Sequence, residues 1–299
     1  MEFIIGVDGG GTKTEAVAYD LNGKKCSEGK SGYGNLLINQ QKALIHILEA
    51  VEQCLIPLDR SHCRYICLGL AGYGGVENTD QVKRVLSNSF ATIPFKIVND
   101  GIIAHAALLK GNDGILTIAG TGSVSIGIHQ GLEVMAGGWG HLLGDEGSGY
   151  WIAMQAFKKM TQEEDEGSRY SKVTTSILDY LAIHQIADLK KFIYSCTKSE
   201  IASLVPLLVR QAERGDEFSQ QIFQQAGYHL AKTTLNVCKK LNYRDDVTIA
   251  IKGSVLANIP LVQTSFIDQI KNKKSEAKFI LVDVSSTVGC YHLALKEIG

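Results

Sequence analysis

The most constraining feature of this 299-residue sequence is a glycine-rich turn between two strand-like segments near its start. Residues 3–8 are largely apolar, three glycines follow at 9–11, and residues 15–20 read as a second strand. Glycine tolerates positive φ and lets backbone N–H groups approach an anion closely. Because strands flank the turn on both sides, it is a hairpin and not the strand-to-helix turn of a P-loop or dinucleotide site. The sequence therefore predicts a phosphate cradle at Gly10, Gly11, Thr12 and Lys13.

An acidic residue stands directly before this turn. Asp8 ends the first predicted strand and precedes the three glycines. Mg²⁺ prefers oxygen ligands and keeps much of its hydration shell in proteins. We therefore expect Asp8 to hold Mg²⁺ through water.

The middle of the chain repeats the plan of the opening. Residues 115–126 form a strand, a turn of glycine and hydroxyl residues, and another strand. The turn consists of Gly120, Thr121, Gly122 and Ser123. Strand and helix patterns alternate between the two turns, which is typical of parallel additions to a sheet. Two similar α/β domains, each with a phosphate hairpin, predict that one nucleotide is clamped between them.

The net charge, the apolar runs and the cysteines of the sequence limit which binding partners and which cellular compartment are expected. The net charge of −1 provides no basic field for nucleic acid or an anionic membrane. No apolar run approaches the ~20 residues of a membrane span, and a strand that begins at Phe3 leaves no room for a signal peptide. Seven cysteines without a Cys-x-x-Cys pair are interpreted as reduced thiols, so neither disulfides nor zinc is expected. We expect a cytoplasmic protein.

The second half of the chain is mainly helical. A glycine-dense loop at 137–149 leads into a helix at 152–160, and helical patterns fill 169–243. The longest predicted helices cover 198–214 and 218–241. A strand at 247–252, a helix at 256–270, a strand at 278–282 and a closing helix at 289–296 complete the prediction.

Taken in order, these turns resemble the N-acetylglucosamine kinases and BadF/BadG/BcrA/BcrD ATPases of the actin, sugar kinase and heat-shock chaperone superfamily. The resemblance rests on residues 8–14, Asn99-Asp100, residues 119–123, residues 138–151, residues 214–216 and residues 253–255. It implies two actin-like (ribonuclease H-like) α/β domains with a central cleft. We expect the N-terminal domain at 1–112 with the closing helix 285–299, and the C-terminal domain at 113–284 with a helical insertion at about 165–243.

The resemblance also implies which residues bind the ligands. The two glycine turns would hold the phosphates of ATP, and Ala212, Gly253 and Ser254 would line the adenosine pocket, together with Val255. The sugar would contact Asn35, Asp100, Gly138, Trp139, Gly140 and Asp145. The expected partners are ATP, Mg²⁺ and a small sugar in a homodimer, without nucleic acid or membrane.

Phosphoryl transfer requires in-line geometry, charge neutralisation and a base for the acceptor hydroxyl. Asp100 is the predicted base because it ends a strand, and the alternative is a cap on the following helix. Asp145 is predicted to accept from two sugar hydroxyls, and its alternative is again a helix cap. Glu146 is an alternative contact for Mg²⁺ or sugar, Trp139 either stacks on the sugar or packs the loop, and His141 is interpreted as structural.

The predicted activity is ATP-dependent phosphorylation of N-acetylglucosamine at the 6-hydroxyl. Two other interpretations of the sequence as a kinase are a broad-specificity hexokinase and a glucosamine or N-acetylmuramate kinase. An alternative function of a different class is that of an ATPase activator of an acyl-CoA dehydratase. Such activators carry a cysteine that binds an iron–sulfur cluster, and the matching position in this sequence is Thr117. A sugar-sensing transcriptional regulator would need a DNA-binding module, for which the strand at Phe3 leaves no space.

Overall fold

The computed structural model describes residues 1–299, which divide into two compact units. Unit 1 comprises Met1–Asp113 and Val282–Gly299, and unit 2 comprises Gly114–Leu281. Each unit is built on one mixed five-stranded sheet with helices. The predicted α/β class is therefore confirmed.

The sheet of unit 1 begins with three antiparallel strands and adds two parallel ones. Its strands are β1 (Phe3–Gly9), β2 (Thr14–Asp20), β3 (Lys25–Ser31), β4 (Cys63–Leu70) and β5 (Phe95–Asn99). They lie in the order β3-β2-β1-β4-β5, with β4 and β5 parallel to β1. The helices between them are α1 (Gln40–Leu55), α2 (Thr79–Phe90) and α3 (Asp100–Leu109), and 3-10 turns occur at Arg60–His62 and Tyr73–Gly75.

Unit 2 repeats this strand plan and adds helices. Its strands are β6 (Gly114–Ala119), β7 (Ser123–His129), β8 (Leu132–Gly137), β9 (Thr248–Lys252) and β10 (Lys278–Ile280). Their order is β10-β9-β6-β7-β8, so the same two antiparallel and two parallel pairings recur. The helices are α4 (Gly149–Asp165), α5 (Lys172–Leu181), α6 (Leu189–Ser195), α7 (Lys198–Ala202), α8 (Val205–Glu213), α9 (Glu217–Lys240), α10 (Ser254–Asn258) and α11 (Pro260–Lys271), with a 3-10 turn at Ile186–Asp188.

The last helix, α12 (Ser286–Ile298), returns to unit 1 and packs beside α3. Alternate residues of a strand point to opposite faces of its sheet. Ile5 and Val7 accordingly belong to the core beneath α1 and α2, whereas Ile4 lies in the core formed with Cys290 of α12. Both faces of this sheet are therefore covered, which explains why β1 is apolar throughout.

Two long helices predicted from the sequence are each divided in the structure. The segment 198–214 forms α7 and α8, and the segment 256–270 lies across α10 and α11. Proline lies in the first turn of both α8 and α11, at Pro206 and Pro260. Proline lacks the N–H of a helix interior but suits the first turn. The predictions were wrong because the apolar spacing continues across both breaks.

Candidate active site

The first glycine turn joins β1 and β2 as a hairpin. The N–H of Gly10 donates to the carbonyl of Lys13 at 3.0 Å, and Gly11, Thr12 and Lys13 are exposed. A Cβ built at Gly11 would meet no atom within 4 Å. The turn therefore has an open outer surface on which an anion can approach the backbone.

Lys13 is directed along the sheet. Its ammonium Nζ lies 3.4 Å from Oε2 of Glu15, and its side chain is 67 % exposed. An exposed pair of this kind contributes little to stability and is readily broken. A phosphate contact for Lys13 stays a prediction.

Three segments of unit 1 that carry predicted site residues meet at the carboxyl edge of its parallel strands, where β4 ends between two of them. Gly9 is in register with Leu70, which is in register with Asn99. The Asn35 loop joins the same edge, because Gly34 N–H donates to the Gly10 carbonyl at 2.8 Å and Leu36 N–H donates to the Ala71 carbonyl at 3.1 Å. The structure therefore brings the segment of Asp8 and Gly10 together with Asn35 and Asp100, which are distant from it in sequence.

The orientation of Asn35 is fixed by its own loop. Its Oδ1 accepts a hydrogen bond from the N–H of Leu37 at 2.9 Å. An amide whose oxygen is occupied in this way presents its NH₂ group as the donor. Asn35 is half-buried and can donate to an oxygen atom of a ligand at this edge.

Asp100 is the first residue of α3, and its neighbour supplies the helix cap. Oδ1 of Asn99 accepts from the N–H of Gly101 at 2.9 Å, which is the N-cap interaction of α3. Burial raises the pKa of Asp100, although a hydrogen bond from Gly101 N–H at 3.0 Å opposes the rise. A half-buried carboxylate with a raised pKa is a better proton acceptor than an exposed one.

In unit 2 the second glycine turn is tied to the loop that follows β8. Ser123 N–H donates to Oδ1 of Asp145 at 3.2 Å, and Ser123 Oγ donates to the carbonyl of Glu146 at 3.0 Å. Within the turn, Gly120 N–H donates to the carbonyl of Gly122 at 3.0 Å. The Ser123 side chain thus holds the loop, and Gly120, Thr121 and Gly122 form the more accessible part of the turn.

Asp145 is buried, with 3 % of its surface exposed, and has a positive φ of 61°. Its Oδ2 lies 3.5 Å from Nζ of Lys198. A Cβ at Gly122 would stand 2.8 Å from the same oxygen, so only glycine allows this approach. Ser148 caps α4, which removes the cap alternative for Asp145. A sugar contact for Asp145 stays a prediction.

The glycine-dense loop after β8 exposes large apolar side chains. Trp139 is 73 % exposed, and Leu142 and Leu143 are also exposed. Gly138 N–H donates to the Ser123 carbonyl at 3.0 Å, and the ring of His141 lies 4.7 Å from that of Tyr150. Most of the Trp139 surface is therefore left open by its own loop, whereas His141 has an aromatic contact inside unit 2.

A pocket of about 620 Å³ opens beside the second glycine turn. Its walls come from that turn, α4, α7, α8 and α10, namely Gly120, Thr121, Gly149, Ser199, Ala202, Ser203, Val205, Pro206, Val209, Arg210, Glu213, Ser254, Val255, Asn258 and Ile259. Most of the predicted adenosine contacts lie at or beside it. Ser254 and Val255 line it, and Gly253 precedes them with φ 94° and a backbone in close contact with Ala119.

Ala212 does not line this pocket, because its side chain is buried in the core of unit 2. Val209, Arg210 and Glu213 of the same helix line the pocket. Residues three and four apart share one face of a helix. That spacing is visible in the sequence and could have identified the face of α8 that is directed toward the pocket.

The family comparison decides the identity of this fold. The sequence pattern of the BadF/BadG/BcrA/BcrD ATPase family matches residues 5–289. The chain belongs to this ATPase family. The predicted family and the predicted pair of actin-like domains are confirmed, since solved sugar kinases share the fold.

Several proteins that are similar to this ATPase family member are named as kinases of amino sugars. The chain is 30 % identical to the N-acetylmuramic acid/N-acetylglucosamine kinase of Clostridium acetobutylicum, over 99 % of both chains. It is 32 % identical to the N-acetyl-D-glucosamine kinase of Dictyostelium discoideum, over 80 % of each. A solved structure from Chromobacterium violaceum, described as a candidate N-acetylglucosamine kinase, is 25 % identical, covers 99 % of both chains and has a TM-score of 0.75.

No helix of this ATPase family member is both long and apolar enough to span a bilayer. His, Cys, Asp and Glu side chains form no group of three or more that could hold a metal ion. A single carboxylate such as Asp8 fits Mg²⁺ bound largely through water and substrate phosphates, as that ion prefers.

Proposed function

We propose that the chain is an ATP-dependent kinase that phosphorylates N-acetylglucosamine at its 6-hydroxyl. The observation that carries this proposal is the position of Asp100. Its carboxylate has a raised pKa, lies one residue after the N-cap Asn99, and shares the carboxyl edge of the sheet with Asn35 and the first glycine turn. The names of two relatives with at least 30 % identity supply the substrate class.

In the proposed reaction Asp100 accepts the proton of the acceptor hydroxyl. The amide NH₂ of Asn35 donates to a sugar oxygen, which orients the ring. The exposed backbone of the two glycine turns binds phosphate oxygens, which stabilises the charge of the transferring group. Asp8 would hold Mg²⁺ through water, and the ion would neutralise phosphate charge.

The loop after β8 is the proposed specificity element for the sugar. Gly138 and Gly140 leave room beside the ring for the 2-acetamido group, and the exposed Trp139 indole can stack on the sugar. A site that offers hydrogen bonds to the acetyl carbonyl disfavours glucose, because its polar groups then stay unpaired. Asp145 would accept from the ring hydroxyls through the lone pairs that Ser123 and Lys198 leave available.

N-acetylmuramate is a second candidate, and a specific observation favours it. An unpaired Asp145 carboxylate near the 3-hydroxyl would repel the lactyl carboxylate of this sugar. In the structure Asp145 is paired with Lys198 at 3.5 Å. The pairing weakens that repulsion, and the Clostridium relative is named for both sugars.

The activator alternative is not supported at its key position. Thr117 is buried and its Oγ1 lies 3.1 Å from Ser125 Oγ and 2.7 Å from Thr234 Oγ1. Iron–sulfur clusters are held by cysteine thiolates, and these three residues offer hydroxyls. A colourless purified protein would agree with the kinase proposal.

The test is a coupled ADP-release assay with ATP and Mg²⁺ on four sugars: N-acetylglucosamine, N-acetylmuramate, glucosamine and glucose. We expect the highest kcat/KM for N-acetylglucosamine and a 6-phosphate in the product by NMR. Faster turnover of glucose or glucosamine would overturn the specificity, and sugar-independent ADP release alone would overturn the kinase function. N-acetylmuramate at a comparable rate would establish the second substrate.

We also propose the domain bounds, the compartment, the cofactors and the oligomeric state of the enzyme. We propose that the functional domains are 1–112 with the closing helix 285–299, and 113–284 with the helical insertion at about 165–243; these bounds lie within one to three residues of those of the two units. We place the protein in the cytoplasm as a homodimer that uses ATP and Mg²⁺, with its seven cysteines reduced. Light scattering on the purified protein measures the mass that tests the dimer.

A further inference from the structure

Lys198 is a cation beside the second glycine turn that the sequence patterns did not single out. It is the first residue of α7, and its Nζ lies 3.5 Å from Oδ2 of Asp145. The side chain of Lys198 is 40 % exposed, whereas that of Asp145 is 4 % exposed. The ammonium group is therefore anchored on one side and open to solvent on the other.

The anchor of Lys198 is itself held at the turn. Oδ1 of Asp145 accepts from Ser123 N–H at 3.2 Å, and the carboxylate lies against Gly122. The start of α7 is fixed by a capping box in which Thr197 and Glu200 bond to each other's backbone. Both ends of the Lys198–Asp145 pair are thus positioned relative to the Gly120–Ser123 turn.

The same short helix forms part of the pocket wall. Ser199, which follows Lys198, lines the 620 Å³ pocket together with Ala202, Gly120 and Thr121. A nucleotide whose base lies between α8 and α10 would have its phosphates at the Gly120–Thr121 end. The ammonium of Lys198 is held beside the same turn, because Oδ2 of Asp145, its partner at 3.5 Å, lies against Gly122.

We propose that Lys198 binds the phosphates of the nucleotide, as an ammonium ligand that the backbone of the second glycine turn complements. This deepens the proposed kinase function and rests on it for the choice of nucleotide. An ammonium has three donors, and one ion pair at 3.5 Å leaves donors for phosphate oxygens. Lys13, in contrast, is paired with Glu15 on the exposed surface of unit 1.

The alternative is a purely structural role, in which Lys198 only compensates the buried negative charge of Asp145. Removal of one partner of such a pair leaves the other uncompensated. The two roles differ in what they predict for ligands of different charge. A phosphate contact affects ADP and spares adenosine, whereas charge compensation affects the protein whatever ligand is present.

The experiment is calorimetric titration of ADP and of adenosine, without sugar. We expect Lys198→Met to weaken ADP binding roughly 10- to 100-fold, as for loss of a charged hydrogen bond, and to change adenosine binding less than about 2-fold. Lys198→Arg should restore most of the ADP affinity. Lys172→Met is the matched control, since Lys172 holds the same first position in α5, whereas Lys198 is the lysine paired with Asp145 beside the second glycine turn.

The double variant Lys198→Met/Asp145→Asn separates the two roles and covers poor folding of the single variant, because it removes both charges. Continued weak ADP binding in the double variant supports the phosphate contact. Recovery of ADP binding, or equal losses for ADP and adenosine, would overturn it. Since no sugar or phosphoryl transfer is measured, failure here is distinguishable from failure of the N-acetylglucosamine kinase proposal.

Discussion

Asn99 Oδ1 accepts a hydrogen bond from the N–H of Gly101 at 2.9 Å and is the N-cap of α3, while Oδ1 of Asp100 shares that N–H at 3.0 Å and Oδ2 takes no part in the cap. Asp100 lies one residue further on, where its pKa is raised by burial. The two adjacent polar residues are thereby assigned different tasks. Asn99 stabilises the helix, and Asp100 remains available for proton transfer.

The first prediction separates these tasks by substitution. Asp100→Asn should lower kcat about 10²- to 10⁴-fold with a small change in the KM for sugar, because an amide cannot accept the proton. Asn99→Ala should retain transfer but cost about 1 kcal/mol of unfolding free energy through loss of the cap. Steady-state kinetics and urea unfolding on both variants provide the comparison. More than a tenth of wild-type turnover in Asp100→Asn would remove Asp100 from the role of base.

The raised pKa of Asp100 also predicts the sign of a stability effect. The folded protein binds the Asp100 proton more tightly than the unfolded chain, so ionisation of this group opposes folding above the ordinary carboxylate pKa of about 4. Asp100→Asn should therefore be at least as stable as the wild type at pH 7. This difference should shrink as the pH falls and the carboxylate becomes protonated. A less stable variant at pH 7 would mean that the ionised carboxylate is held by favourable contacts.

A second carboxylate predicts the opposite pH dependence. Burial alone would raise the pKa of Glu163, but hydrogen bonds from Thr174, Lys159 and Ser171 outweigh it and lower this pKa to about 2. The stabilisation is fully present above the unfolded pKa and is lost as the pH falls toward the folded value. Glu163→Gln should cost on the order of 3 kcal/mol of unfolding free energy at pH 7 and roughly half or less of that at pH 3.

Urea unfolding at both pH values measures this loss. Asp165→Asn is the control, since Asp165 is an exposed carboxylate of α4 two residues after Glu163. The same cost at pH 7 and pH 3 would show that the contribution of Glu163 does not come from its charge.

Gly253 predicts a steric effect on the nucleotide pocket. Its φ of 94° disfavours any side chain, and a Cβ there would collide with the backbone of Ala119. Gly253→Ala should lower the unfolding free energy by about 3 kcal/mol or more and weaken ADP binding, because Ser254 and Val255 follow directly in the pocket wall. Gly215→Ala has a similar φ of 86° and open space, so it should cost about 1 to 2 kcal/mol and spare ADP. Equal effects of the two variants would exclude the contact with Ala119 as the cause.

The exposed indole of Trp139 predicts an optical signal. The sequence has two tryptophans, and the ring of Trp151 lies 5.1 Å from that of His229, so Trp139 is the one open to solvent. N-acetylglucosamine stacked on Trp139 would exclude water and shift its emission to shorter wavelength. Trp139→Phe should remove the shift and raise the KM for sugar several-fold, whereas Trp151→Phe should keep it. An unchanged spectrum on saturation with sugar would count against stacking.

The sequence by itself determined the local structure of this protein. The glycine turns at 9–11 and 120–122, the alternation of strands and the apolar helix faces are encoded by residues close to one another in the chain. The same turn plan in both halves anticipated the repeated strand order. Such features depend on backbone preferences and short-range periodicity, which are legible without tertiary contacts.

Only the tertiary structure decided which side chains meet. Lys198 and Asp145 are 53 residues apart, and no local pattern relates them. Ala212 and Glu213 are adjacent, yet one is in the core and the other lines the pocket, because the rotation of α8 is set by packing against its neighbours. Asp145 follows a turn-rich loop that suggests exposure, but the fold buries it beneath Ser123. These positions depend on how distant segments pack, and packing is a property of the whole chain.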